Sequence, residues 1–190
     1  MFIPVIDVGG QYNHLIYRAL VEEGVDSELV GMEITLADLE KKGADGLAMG
    51  GGPQRIGCEM EKLGNLPDVI KRAKFPLLGI CVTHQLIARV FGGEAGPAKE
   101  PEYGVVEVRV DDEDEILKGL APSFNALQTH NDEVTVMPKD FRALAHSRNC
   151  RVQAMRHARE PVFGVQFHPE SSHTEKGALV FRNFIEICRK

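Results

Sequence analysis

The chain has 190 residues, of which 43% are hydrophobic and 26% are charged, and its formal net charge is −6. This length suits one domain with a full hydrophobic core. No basic stretch could follow a phosphate backbone, and no apolar run approaches the roughly 20 residues that span a bilayer. We therefore expect neither a nucleic-acid partner nor a membrane.

The cysteines are too few and too scattered for a disulfide scaffold, and none has the C-x-x-C spacing of a zinc site. This pattern fits a reducing cytoplasm. The four cysteines are Cys58, Cys81, Cys150 and Cys188.

Short apolar runs alternate with amphipathic stretches through the first half of the chain. The runs predict buried strands, and apolar residues spaced three and four apart predict helices. Alternating strands and helices indicate a mostly parallel sheet with helices on both faces. The predicted strands are residues 2–7, 27–30, 45–53 and 75–80. The predicted helices are the stretch from the GGQYN sequence to Gly24, residues 35–43, and the stretch from Cys81 to Gly92.

The pattern changes near residue 100, where polar and apolar residues alternate. This period of two is typical of half-buried antiparallel strands. We predict an α/β fold in a single domain of residues 1–190, with a mostly parallel central sheet, helices on both faces and a small additional antiparallel sheet. The predicted antiparallel strands are 103–110, 124–129 and 150–157, followed by a buried strand at 160–167 and a helix at 174–188.

A thiol follows the strand at 75–80, in the sequence LLGICVTHQ. Ligands of open parallel sheets bind outside the carboxyl ends of the strands, and Cys81 lies at such an end with a helix directly after it. Gly79 leaves room for a sharp strand-to-helix turn, as around the nucleophile of G-x-S-x-G enzymes. A thiol at a helix N-terminus is favoured as thiolate. Cys81 is a candidate nucleophile; the alternative is a small buried hydrophobic residue.

A base for this thiol is predicted in the sequence QFHPES. His168 and Glu170 are two apart across Pro169, and in an extended backbone such residues point to the same side. Glu170 can then fix the tautomer of His168 and leave its other nitrogen for the thiol. A metal site is the weaker alternative, because His168 and His173 are five residues apart with a proline between them.

The third candidate element is the glycine-rich turn MGGGP at residues 49–53. Successive glycines let backbone N–H groups converge on a negative oxygen, which a tetrahedral acyl intermediate requires. Taken alone, such a turn is also consistent with a tight connection between elements.

Together, GICVTHQ, GGP and FHPE resemble, in order and spacing, the class I (triad) glutamine amidotransferases, and the resemblance covers essentially the whole chain. It implies a flavodoxin-like α/β fold. Three flanking segments, at the N-terminus, at THNDEV (129–134) and at HPESSHTEKG (168–177), resemble the glutaminase part of GMP synthetases. Since the sequence contains no ATP-pyrophosphatase domain, the resemblance implies the free-standing glutaminase subunit of the two-subunit, archaeal-type form.

The resemblance implies a role for each matching residue. Cys81 would attack the side-chain amide of glutamine, His168 would transfer the proton, and Glu170 would orient His168. The backbone N–H groups of Gly52 and Val82 would form the oxyanion hole. The substrate would be held, largely through backbone groups, by residues that lie near the nucleophile or in the THNDEV segment: Gly51, Gln85, Thr129, His130, Asn131 and Asp132.

The resemblance also implies partners. Ammonia would pass to an ATP-pyrophosphatase subunit that converts XMP to GMP, and ATP and magnesium would bind to that subunit. No cofactor or metal is expected in this chain. Two alternatives stay open: an amidotransferase that serves another synthase or acts as a stand-alone γ-glutamyl hydrolase, and a non-catalytic regulatory paralogue.

Two positions depart from the family pattern. Thr83 replaces the glycine of G-x-C-x-G-x-Q, and Gly50 replaces the serine before GGP. A β-branched residue at a crowded turn could strain it or shift Cys81. From the sequence, Thr83→Gly is therefore expected to keep or raise activity.

Overall fold

The computed structural model describes residues 1–190 and has nine strands, all in one sheet. The order across this sheet is β2-β1-β3-β4-β9-β8-β7-β5-β6. The strands are β1 (Val5–Asp7), β2 (Leu29–Gly31), β3 (Leu47–Met49), β4 (Leu77–Ile80), β5 (Glu94–Val110), β6 (Ser123–Val136), β7 (Phe141–His146), β8 (Ala154–His157) and β9 (Val162–Val165). The helices are α1 (Asn13–Glu22), α2 (Leu36–Lys41), α3 (Leu66–Arg72), α4 (Val82–Val90) and α5 (Ala178–Cys188), and a 3₁₀ turn covers Met60–Leu63.

The sheet has a parallel half and an antiparallel half. Strands β2, β1, β3, β4 and β9 pair in parallel, whereas β8, β7, β5 and β6 continue the same sheet in antiparallel pairs. The predicted fold class is confirmed, and the antiparallel strands are continuous with the parallel ones.

Helices cover both faces of the parallel half. The apolar residues of α1 and α5 pack into one core cluster, and those of α2, α3 and α4 pack into a second cluster on the opposite face. β3, β4 and β9 are buried at every position, which explains their continuous apolar sequences. None of the helices has the length and apolarity that crossing a bilayer requires.

Several predicted boundaries change in the structure. The two long strands, β5 and β6, extend well beyond the alternating stretches, while the final helix begins at Ala178 and not at residue 174. The segment 150–153 lies before β8 and is not a strand. The sequence analysis missed α3, the 3₁₀ turn and β7. α3 has only seven residues, and its Pro67 occupies the first turn, where proline is tolerated.

Candidate active site

The nucleophile candidate lies at a strained turn between β4 and α4. Cys81 is the N-cap residue of α4, with φ 55° and ψ −110°, a conformation that side-chain-bearing residues rarely adopt. Its backbone N–H donates to the carbonyl of Val165, the last residue of β9, at 2.8 Å, so a hydrogen bond to the neighbouring strand stabilises the turn. The thiol therefore sits at the carboxyl edge of the parallel strands and is 7% exposed.

The imidazole lies three residues after the end of β9, the neighbour of β4 in the sheet. Because β4 and β9 are parallel, the residues that follow them meet at the same edge. His168 Nδ1 lies 2.7 Å from Glu170 Oε1, and His168 and Cys81 both lie against Gly51 and line the same cavity. The structure thus brings together the three residues that the sequence singled out.

The backbone around His168 differs from the extended conformation used to argue for the contact with Glu170. Residues 169–170 form a turn, in which the N–H of Ser171 donates to the His168 carbonyl at 3.3 Å. The hydroxyl of Thr174 donates to the same carbonyl at 2.6 Å. The turn brings the carboxylate beside the ring, so the contact forms although the expectation of an extended backbone was wrong.

Neighbouring side chains raise the pKa of His168. Burial alone would lower the pKa of His168, but hydrogen-bonding contacts with Cys81 and Glu170 outweigh it and raise that pKa to about 10. This shift favours transfer of the Cys81 proton to the ring. A protonated imidazole next to a thiol stabilises the thiolate form. The hydroxyl of Thr129 lies 2.8 Å from His168 Nε2, on the opposite side of the ring from Glu170.

The glycine-rich turn after β3 passes directly over the thiol and the imidazole. A Cβ atom at Gly51 would lie 3.1 Å from His168 Cε1 and 3.3 Å from Cys81 Cβ, so a side chain there would push against both catalytic candidates. The backbone N–H groups of Gly52 and Val82 donate no hydrogen bond within the chain. Two unpaired donors therefore remain near the sulfur, as an oxyanion hole requires.

Two cavities meet at Cys81. The larger, of about 340 Å³, lies toward the loop that follows β1, and the smaller, of about 130 Å³, lies toward β6. The smaller cavity is lined by the two predicted oxyanion residues and by every predicted substrate residue except Gly51. The oxyanion residues are Gly52 and Val82, and the substrate residues are Gln85, Thr129, His130, Asn131 and Asp132. Gly51 lines the larger cavity.

The predicted substrate residues are tied to one another and to the core. Gln85 Nε2 donates to the carbonyl of Asp132 at 2.7 Å, linking α4 to β6. His130 points inward, with Nδ1 3.1 Å from the same carbonyl and Nε2 3.1 Å from Glu102. The Asp132 carboxylate faces the cavity and pairs with Arg55 at 3.1 Å.

Two further residues touch the catalytic candidates, and the sequence analysis did not single them out. Gln166 Nε2 lies 3.7 Å from Cys81 Sγ, and the Tyr12 ring packs edge-on against His168 with centroids 5.3 Å apart. Gln166 is two residues before His168, and Tyr12 follows β1 at the same sheet edge. In extended backbone, residues two apart point to the same side, so the position of His168 could have identified Gln166. Residues that follow parallel strands meet at one sheet edge, so the end of β1 could have identified Tyr12.

A buried polar cluster lies behind the substrate cavity, formed by Glu102, His130, Cys150, Ser147 and Gln153. Three of its members could in principle coordinate a metal ion. However, the Glu102 carboxylate already accepts hydrogen bonds from Ser147 at 2.6 Å and Gln153 at 2.7 Å. Burial raises the pKa of Cys150 far above its usual range, so its thiol stays protonated. These residues fit a hydrogen-bonded core better than a metal site.

Comparison with known proteins shows the family of this chain. The family model described as glutamine amidotransferase class-I matches residues 4–188. The glutamine-hydrolysing GMP synthase subunit of Sulfurisphaera tokodaii is 50% identical over 190 residues, which is 100% of both chains. The corresponding subunit of Methanocaldococcus jannaschii is 44% identical over 187 residues, which is 98% of this chain and 97% of that protein.

The comparison of solved structures agrees as well. A Thermoplasma acidophilum protein assigned as a GMP synthase subunit has a TM-score of 0.94 and 41% identity, covering 100% of this chain and 94% of that one. A glutamine amidotransferase of Thermotoga maritima shares the fold, with a TM-score of 0.74 and 18% identity, over 98% of this chain and 81% of that one. The chain therefore belongs to the class I glutamine amidotransferases.

Proposed function

We propose that the chain hydrolyses glutamine to glutamate and ammonia through a thioester on Cys81, and supplies the ammonia to a subunit that converts XMP to GMP. One observation carries this proposal. Cys81, His168 and Glu170 converge beside unpaired backbone donors, in a chain 50% identical over its whole length to a glutamine-hydrolysing GMP synthase subunit.

The first step forms the carbon–sulfur bond. The Cys81 proton passes to His168, and the sulfur attacks the amide carbon of the glutamine side chain. The carbonyl electron pair moves onto oxygen, where the N–H groups of Gly52 and Val82 donate to it. The raised pKa of His168 supports this proton transfer.

The next steps release ammonia and restore the thiol. His168 gives its proton to the amide nitrogen, the carbon–nitrogen bond breaks, and ammonia leaves a thioester behind. A water molecule then loses a proton to His168 and attacks the thioester, the carbon–sulfur bond breaks, and glutamate departs as the sulfur regains its proton. Throughout, the 2.7 Å contact with Glu170 keeps the ring oriented.

The charged ends of glutamine require partners on the β6 side. We assign its α-amino and carboxylate groups to the segment 129–132 and to Gln85, which line the smaller cavity together. The Asp132 side chain is 7% exposed and carries the negative charge that an α-ammonium group needs.

Ammonia must reach its acceptor before it is protonated in water, which explains why this hydrolysis should depend on a docked partner. We expect an ATP-pyrophosphatase subunit that binds ATP, magnesium and XMP, and no cofactor in this chain. All four cysteines are free thiols, so we place the reaction in the reducing cytoplasm.

The test is an assay of glutamine-dependent and ammonia-dependent GMP formation, with the chain mixed with an ATP-pyrophosphatase subunit, XMP, ATP and magnesium. Cys81→Ala should abolish the glutamine-dependent reaction and leave the ammonia-dependent one intact. Cys188→Ala is the matched control, because this free cysteine lies at the end of α5.

Three outcomes contradict the proposal in different ways. Full glutamine-dependent activity of Cys81→Ala would exclude the thioester. Glutamine hydrolysis that no XMP-dependent partner stimulates would favour another synthase or a stand-alone hydrolase. A wild-type chain that hydrolyses no glutamine, even in the complex, would favour the regulatory paralogue.

A further inference from the structure

The hydroxyl of Thr83 joins two loops of the active site. Thr83 lies in the first turn of α4, two residues after Cys81, and is fully buried. Its Oγ1 lies 2.7 Å from the carbonyl oxygen of Met49 and 3.0 Å from that of Gly50. These two residues begin the glycine-rich turn that continues into Gly51 and Gly52.

The same hydroxyl also holds the strand that leads to the nucleophile. Thr83 Oγ1 accepts the backbone N–H of Ile80 at 2.9 Å and lies 3.0 Å from the Ile80 carbonyl. A hydroxyl can donate only one proton, although it can accept at two lone pairs. We assign the donated hydrogen bond to the Met49 carbonyl, which is the nearest of the three carbonyl oxygens. One buried group thus connects the β4–α4 turn to the end of β3.

The surroundings of Gly50 show why no side chain can make this connection from the other loop. A Cβ atom at Gly50 would lie 1.9 Å from Asn13 Oδ1 and 3.2 Å from Ile16 Cδ1. Asn13 is itself fixed by a 2.6 Å hydrogen bond to Asp7. The two departures from the family pattern are therefore linked in space, since position 50 lacks a hydroxyl and position 83 supplies one.

We propose that Thr83 is a positioning residue. Its hydroxyl sets the glycine-rich turn at residues 49–53, the oxyanion loop that carries the Gly52 N–H, at the correct distance from Cys81. The proposal rests on the proposed glutamine hydrolysis. It reverses the expectation drawn from the sequence, because glycine at position 83 would leave the Ile80 N–H without its acceptor and the Met49 carbonyl oxygen without its donor.

The kinetic consequence follows from the role of the loop. Only the tetrahedral intermediate carries the negative oxygen, so a displaced loop weakens the transition state more than the bound substrate. Loss of one oxyanion donor typically lowers kcat by about 10²–10³, and a displaced donor should cost about tenfold to a hundredfold.

The test compares Thr83→Val, which keeps the shape and removes the hydroxyl, with Thr83→Ser, which keeps the hydroxyl. Glutamine hydrolysis is measured in the complex with the ATP-pyrophosphatase subunit, and Cys81 alkylation by iodoacetamide is measured on the same proteins. Alkylation displaces iodide at a saturated carbon and forms no oxyanion, so it reports on the thiolate and not on the loop.

We expect Thr83→Val to lower kcat about tenfold to a hundredfold with KM changed less than about threefold. Its alkylation rate and pH profile should match the wild type, and Thr83→Ser should stay within about threefold of the wild-type kcat. Thr83→Gly should be at least as slow as Thr83→Val.

Ser27→Ala is the control for the general effect of removing a hydrogen-bonded hydroxyl. The Ser27 Oγ donates to the Ile3 carbonyl at 2.7 Å, next to β2 and away from the active site. This change should lower thermal stability without lowering kcat. If Thr83→Val or Thr83→Gly keeps the wild-type kcat, the proposal is wrong.

The proposal is also wrong if kcat and alkylation fall together, because Thr83 would then support the thiol and not the loop. Should Thr83→Val not fold, the comparison of Thr83→Ser with Thr83→Ala decides by the same two readouts. A wild-type complex without glutaminase activity would contradict the proposed function and not the role of Thr83 within it.

Discussion

The two sides of the active site are held in place by different physical means. On the parallel side, backbone geometry positions the reacting groups: Cys81 has a positive φ, and the glycine turn passes so close that a Cβ atom at Gly51 would lie 3.1 Å from His168 and 3.3 Å from Cys81. On the antiparallel side, a buried carboxylate positions the substrate segment. Glu102 is 3% exposed and contacts His130, Ser147 and Gln153.

This contrast predicts different consequences of mutation. Conservative changes of the reacting side chains on the parallel side should lower the rate of chemistry more than they lower stability, because the sheet supports the strand ends independently. Changes in the Glu102 cluster should lower the free energy of unfolding more than they alter the chemistry. Removing one group of this buried cluster leaves the others without one of their hydrogen-bond partners, which is destabilising.

The largest expected effect is from Glu102→Ala. It would remove one hydrogen-bond partner from each of three buried polar side chains and should lower the free energy of unfolding by about 3–5 kcal/mol at neutral pH. Urea denaturation measures this value. Glu107→Ala is the control, since Glu107 lies on the same strand and its side chain is 52% exposed; it should change stability by less than about 0.5 kcal/mol.

The stability that Glu102 provides should also depend on pH. Burial raises the pKa of Glu102, but hydrogen bonds from His130 and Ser147 outweigh it and lower that pKa below its ordinary value of 4.5. A carboxylate with a lowered pKa stabilises the fold above the unfolded-state pKa and loses this effect as the pH falls through the folded-state pKa. The difference between wild type and Glu102→Gln should therefore shrink below about pH 4.5, and an unchanged difference would contradict the assignment.

The next effect in size is from Glu170→Gln on the parallel side. The amide keeps the shape but removes the charge next to His168 Nδ1, so the pKa of His168 should fall and kcat should decrease by about 10²-fold. Stability should change little. The pH profile of kcat over KM gives the shift, and Glu175→Gln, at a surface carboxylate that accepts from Asn125, is the control. Unchanged turnover would remove Glu170 as the orienting group.

The same contrast explains how far the sequence could predict the site. Glycines, a thiol and a histidine at strand ends are local signals, so Cys81, His168 and the turn at 49–53 could be found without coordinates. Glu102 stands in the sequence KEPEYG, which is typical of a solvated loop, and only its contacts with residues 130, 147 and 153 make it part of the core. Thr83 is similar, because its acceptors come from residues 49 and 50, more than 30 positions away.

The smallest expected effect concerns the ion pair at the edge of the substrate cavity. Arg55 pairs with Asp132 at 3.1 Å, with 55% of the Arg55 side chain exposed and 7% of the Asp132 side chain. The cavity that both residues line is about 130 Å³, small for a bound amino acid. We expect the guanidinium group to compete with the α-ammonium group of glutamine for this carboxylate, so that binding requires Arg55 to move.

Arg55→Ala should therefore lower KM for glutamine about threefold, with kcat unchanged, and added salt should lower the wild-type KM toward that of the variant. Steady-state glutaminase assays in the complex measure both. Arg72→Ala, which breaks an exposed pair with Asp68 on α3, is the matched control. A rise in KM of Arg55→Ala would instead mean that the guanidinium group binds the α-carboxylate of glutamine, and that Arg55 helps to bind the substrate.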